Sequence, residues 1–190
     1  MSITINGNGT ITGYTPPIAD GSITAAKLAS GVGGKVLQIK NINDTSSAQH
    51  GNFGATGYAD MGNLSVNITP SSTTSKILIL AHVCCGIGDN NTQVTMMFRV
   101  MRDSTPIEGS YTGSEFPAGF GATGKETYSQ DGMVSTHFSY VDSPNTTSPV
   151  TYKVQGSSRS TINYGYNRGY RTFSGMCKGV SSLSLMEFTP

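Results

Sequence analysis

Residues 64–85 read LSVNITPSSTTSKILILAHVCC, and the reading of this stretch decides the fold. LSVNI alternates cleanly, with Leu64, Val66 and Ile68 on one face and Ser65 and Asn67 on the other. Period-two alternation is the signature of a half-buried strand. TPSSTTS then supplies a turn, since Pro, Ser and Thr favour local backbone hydrogen bonding over a ladder. KILILAHVCC, Lys76 to Cys85, is apolar at odd and even positions alike. A strand of that kind belongs in the middle of a sheet with something covering each side.

The same period continues on both sides of this hairpin. VLQIKNI precedes it. TQVTMMFRVMRD places Met96, Phe98 and Val100 on one face and Met97, Arg99 and Met101 on the other. MVSTHFSYVD turns Val134, Thr136, Phe138 and Tyr140 inward, VTYKVQG turns Tyr152 and Val154 inward, and SSLSLMEF closes the set. Residues 104–132 are Gly-rich and read as two short strands with broad loops; STINYGYNRGYRTFSG, 160–175, reads as an aromatic and basic loop region. About eight strands with no second helix predict an all-β fold, an antiparallel jelly-roll-like β-sandwich spanning 35–190. Residues 1–34 read as a short extended segment and linker. ITINGNGTIT (3–12) reads as a strand or tight hairpin, Pro16 and Pro17 as a stiff link, and 20–29 as a turn or two of helix ending at Gly31, Gly33 and Gly34.

Composition narrows the function. Only 12% of the 190 residues are charged, and the net charge is +1. That is too little for electrostatic capture of nucleic acid or of an anionic membrane. No apolar run approaches the ~18 residues of a membrane span. MSITINGNGT has neither the basic nor the apolar stretch of a secretory signal, so folding in a cytoplasm is expected. Gly, Ser, Thr and Asn make up 83 of the 190 residues. Such small polar side chains fill turns and suit close packing between identical chains.

Catalytic patterns are missing from the sequence. No paired carboxylates suggest a glycosidase, no Gly-x-Ser-x-Gly elbow is present, and GFGATGK (119–125) is followed by turn residues rather than the helix a phosphate loop needs. His50, His82 and His137 show no ligand spacing; His82, among aliphatics, reads as an interior or interface histidine and His137 as outward-facing. Cys84 and Cys85, adjacent in a strand, point to opposite faces and do not pair, so reduced, packed thiols are expected. Neither enzymatic activity, nor a cofactor, nor a metal is predicted.

INYGYNRGYR, 162–171, stands out. Tyr164, Tyr166 and Tyr170 offer rigid amphipathic contact area, and Arg168 and Arg171 forked donors. They read either as a surface for a sugar or protein partner or as strand residues packed along a subunit seam.

Taken together, TINGNGTITG (4–13), DGSITAAKLASG (20–31), LSVNITPSSTTSKILILAHV (64–83), FRVMRDSTPI (98–107) and FSYVDSPNTTSPVTYKVQ (138–155) resemble the fibre-like structural proteins of tailed bacteriophages. The resemblance covers nearly the whole chain. It implies a virion protein assembled in the host cytoplasm, a homotrimer, with an N-terminal attachment segment and a β-sandwich head. Ile3, Ile5, Ile11 and Tyr14 are then the candidate anchor to a tail or major capsid protein. Two placements stay open: a tail fibre or spike that binds a host surface glycan or protein, and a decoration protein seated on the capsid.

Overall fold

The computed structural model of the chain describes residues 4–5, 7, 11–12, 36–53, 57–88, 94–107, 121–125, 132–158, 162–169 and 178–189. Backbone contacts group the chain into two units, Met1–Gly34 and Lys35–Pro190. In the first unit, β1 (Thr4–Ile5) and β2 (Ile11–Thr12) pair antiparallel with Ile5 opposite Ile11. The Asn-Gly-rich stretch between them is the turn chemistry such a hairpin needs. Ile3, Tyr14 and the helix-like stretch 20–29 lie outside the described residues.

The second unit is all-β, with no helix among its described residues. Its strands are β3 (Val36–Asp44), β4 (Ala48–Phe53), β5 (Ala59–Ile68), β6 (Lys76–Ile87), β7 (Val94–Arg102), β8 (Thr105–Pro106), β9 (Gly121–Lys125), β10 (Val134–Asp142), β11 (Val150–Ser158), β12 (Ile162–Tyr166) and β13 (Ser181–Phe188). They form two sheets, every pairing antiparallel. One runs β3-β13-β6-β12-β4 with β10 also on β6; the other runs β5-β11-β7-β8 with β9 also on β7. Four long-range pairs nest inside one another: β3 with β13, β5 with β11, β6 with β10, and β7 with β9. β6 is a central strand, as its apolar run predicts. GATGK, the part of the phosphate-loop lookalike from Gly121 to Lys125, is strand β9 on β7.

One reading of the sequence is corrected: Ile162–Tyr166 is a strand and not a loop. Ala48–Phe53, where AQHGNF gives no alternating signal, is also a strand. Both are held by their neighbours, since β12 pairs with β4 on one side and β6 on the other.

Inward residues of both sheets form one core. Leu64 and Ile68 of β5, Ile77 and Ile79 of β6, Phe98 and Val100 of β7, and Leu183 and Leu185 of β13 are all buried. Burying one such aliphatic side chain is worth about 1.5–3 kcal/mol. Around this core, three buried carboxylates tie elements together. Asp142 of β10 accepts from Arg102 (2.9 Å) and from the Tyr152 hydroxyl (2.6 Å), joining one sheet to the other. Glu187 of β13 accepts from Gln38 of β3 and from the backbone N–H and hydroxyl of Ser71 in the β5–β6 turn. Asp44 closes β3 and accepts from the Tyr166 hydroxyl (2.9 Å), the Asn63 N–H (2.7 Å) and the Ser46 N–H (2.9 Å). Burial alone would raise the Asp44 and Glu187 pKa values, but these hydrogen bonds outweigh it and hold each down to about 2.

Candidate functional site

The described part of the Tyr/Arg stretch is an internal joint. Tyr164 and Tyr166 lie on the same inward face of β12 and are 4% and 1% exposed. Burial, with the nearby Cys85 thiol adding to it, pushes the Tyr164 hydroxyl up to about 12. Burial also pushes up the Tyr166 hydroxyl, and its bond to the Asp44 carboxylate adds to that. Both stay protonated, and Tyr166 acts as a hydrogen-bond donor. Their rings are spent on core packing rather than offered to a partner.

Asn167 follows in the left-handed region at φ 53°, which Asn tolerates better than most residues. It is fully buried and makes contacts in four directions. Its Nδ2 donates to the carbonyls of Asp44 and Ser46, its N–H donates to Cys84 O, and its carbonyl accepts from the Gly179 N–H. Its Oδ1 accepts from Ser181 Oγ, which in turn accepts from the Cys84 N–H. The backbone of Arg168 and Gly169 then crosses directly over Gly86 and Gly165, which are paired across β6 and β12. The Arg168 side chain is half-buried and its Nε donates to Gly169 O. Tyr170 and Arg171 lie outside the described residues, and the side chains of Ile5 and Ile11 are likewise not described.

What the sequence did not disclose is a histidine pair. His82 of β6 and His137 of β10 stand directly opposite each other, their rings stacked at 4.2 Å and 3° from parallel. His82 Nε2 lies 3.3 Å from Cys84 Sγ, which also lies 3.2 Å from Ser135 Oγ. The pair borders a groove of about 550 Å³ lined by Leu80, Phe138, Ser139, Ser182 and Ser184. Spacing along the chain could not reveal this, because the two histidines meet only through strand register. The outward position of His137 was legible from alternation; that of His82 was not, because β6 is apolar at odd and even positions alike. Among the described residues, no three His, Cys, Asp or Glu side chains are placed to hold a metal ion. Cys84 and Cys85 are free thiols; burial pushes Cys85 up to about 12, so it is inert and packs against Met96.

Burial lowers the His82 pKa, and the neighbouring His137 lowers it further. The other groups facing His82 are Cys84 on its own strand and the uncharged Ser182 on β13. The folded state therefore binds this proton less readily than the unfolded chain does. Stability from this source is present above the ordinary imidazole range and is lost as pH falls through it. We expect thermal melting at about pH 5.5 to come at a lower temperature than at about pH 7.5. The His82→Gln variant should show a smaller difference across the same range.

The outer face of the other sheet has different chemistry. Arg99 Nε and Nη2 donate to Gln155 Oε1, while Gln155 Nε2 and Lys153 Nζ donate to Asp60. The Arg99 guanidinium also lies 3.8 Å above the Tyr58 ring. This is a solvated, charged surface with its polar groups paired to one another.

Compared with known proteins, the chain matches no family model, and no curated protein matches it.

Proposed function

We propose that this chain is a structural protein of the tailed-bacteriophage virion, a short trimeric fibre or spike whose β-sandwich head binds the host cell surface. One observation carries the reading: the sequence blocks that resemble phage fibre-like proteins coincide with the nested strands. Residues 64–83 span the second half of β5 and most of β6, residues 98–107 the second half of β7 and all of β8, and residues 138–155 the second half of β10 and the first two-thirds of β11. Motif and fold therefore concern the same residues. The head is read as a jelly roll. Counting the eight strands β3, β5, β6, β7, β9, β10, β11 and β13, the first pairs with the eighth, the second with the seventh, the third with the sixth and the fourth with the fifth. One long antiparallel ribbon wrapped over on itself gives that nesting, which is the jelly-roll plan. No catalytic role and no cofactor enter this reading.

In it, residues 1–34 hold the protein to the particle through Ile3, Ile5, Ile11 and Tyr14, and the head faces outward. A second placement, as a decoration protein seated on the capsid, is favoured by the burial of Tyr164 and Tyr166, since those rings offer no area to a receptor. Immunogold labelling of purified particles separates the two. Label at the tail supports the host-binding fibre, and label over the shell supports decoration. Particles that carry none of this chain overturn both.

A further inference from the structure

Strand β6 has the sequence of a strand buried on both faces, yet over Lys76–His82 the described residues of this chain fully bury only one; on the other face Cys84 and Gly86 are covered, while Leu80 is exposed. Among those residues six large aliphatic side chains stand exposed: Val36, Leu37, Ile39, Leu80, Val141 and Val180. All six lie on β3, β6 and β10 or one residue before β13, so they belong to a single sheet. Strand register arranges the outer face of that sheet in lines running across four strands. Val141, Leu78, Met186 and Ile39 form an unbroken apolar line. Beside it run Ser139, Leu80, Ser184 and Asn41, and then His137, His82, Ser182 and Asn43. These three lines carry no Asp, Glu, Lys or Arg. Lys76 stands past the apolar line at one end and donates to Ser143 Oγ.

We propose that this face is the surface on which further copies of the same chain pack. Three arguments select another copy as the occupant. The first is the unmet demand for cover on β6 and its neighbour β10: Leu80 is 43% and Val141 47% exposed. The second is neutrality. Side chains that sit on a closed symmetry axis meet their own copies, so any charge there meets a like charge. A different partner would tolerate charge here by matching it, and the charged outer face of the opposite sheet shows that this chain does place ions on its strands. The third is size. The whole outer face of the four strands, ~4.8 Å apart and about nine residues long at ~3.4 Å per residue, presents roughly 600 Å² before side-chain relief is counted, and the three neutral lines make up about two-thirds of it. A stable interface takes about 800 Å² from each partner. The small side chains of Ser139, Ser182 and Ser184 let two such sheets approach closely, and the groove beside them leaves room for a partner's side chain. This deepens the trimeric part of the reading above and does not depend on the virion assignment.

The test is light scattering of the full chain at micromolar concentration, beside Leu80→Glu, Ile39→Glu and, as a control on the opposite sheet, Ser65→Glu. The wild type and Ser65→Glu should give about three times 19.9 kDa, and the two face variants 19.9 kDa with unchanged strand circular dichroism. Face variants that keep the wild-type mass overturn the choice of face while leaving oligomerisation standing. A monomeric wild type overturns self-association itself. If the charged variants fail to fold, Ser184→Cys supplies the reading. Its thiol should resist maleimide labelling in the folded protein, followed by peptide mass spectrometry, and rapid labelling there overturns the proposal.

Discussion

Asp44→Ala should lower stability by about 3–4 kcal/mol, seen as a fall of roughly 10 °C in melting temperature. The residue sits at the end of β3 in a position that looks, from NINDTSS, like ordinary turn sequence. In the fold it is 5% exposed and receives Tyr166 Oη, the Asn63 N–H and the Ser46 N–H. Removing the carboxylate leaves the buried Tyr166 hydroxyl without its acceptor and unties β3 from β5. Hydrogen bonds to a charged acceptor are the strong ones, and an orphaned buried donor costs its full desolvation. Tyr166→Phe removes donor and demand together and should cost only about 1–2 kcal/mol. Because the two groups share one bond, the double variant should lose less than the two single losses combined. Calorimetry or urea titration of the four proteins checks this.

The second large effect is expected at the glycine pair. Gly165→Ala should destabilise by about 2–3 kcal/mol, and Gly165→Val by more. A methyl group on Gly165 would meet Arg168 O at 2.6 Å and Gly169 O at 2.7 Å; on Gly86 it would meet the same Arg168 O at 2.6 Å. These obstacles are backbone atoms, so no rotamer change relieves them. The segment over the pair must lift, which strips Asn167 from Cys84 O. The signature is faster hydrogen exchange at the Asn167 amide together with the lower melting temperature. Gly57→Ala, where nothing lies within 4 Å, should leave both unchanged.

The sequence made the sandwich legible because alternation is local. Leu64, Val66 and Ile68 announce their strand without help from any other part of the chain, and all three are buried together. β4 was not legible, because AQHGNF has no apolar period and is a strand only through its pairing with β12. The Tyr/Arg stretch misled for the opposite reason. Its glycines and arginines suggested a loop, although Ile162, Tyr164 and Tyr166 recur every second residue and form one inward face. That spacing was the available signal. The candidate surfaces were half legible. An apolar run on both faces of β6 asked for cover on two sides, but only strand register shows which side chains stand beside Leu80, or that His82 meets His137.

The nested strand pairs also set the order in which the molecule can be finished. β3 is the first strand of the second unit and its ladder partner is β13, the last. During synthesis the edge of β3 stays open until residues 181–188 have been made. The innermost pair, β7 with β9, is complete long before that. Closure thus waits on the pairing of the first and last strands of this unit, a high-contact-order step that favours slow folding. In that interval Leu78 and Leu80 of β6 and the free edge of β3 are all uncovered. The 12% charge content of the chain leaves little repulsion to keep nascent copies apart. On the proposed self-packing face, crowded synthesis would bring sister chains together early, and assembly and the last stage of folding would become one event.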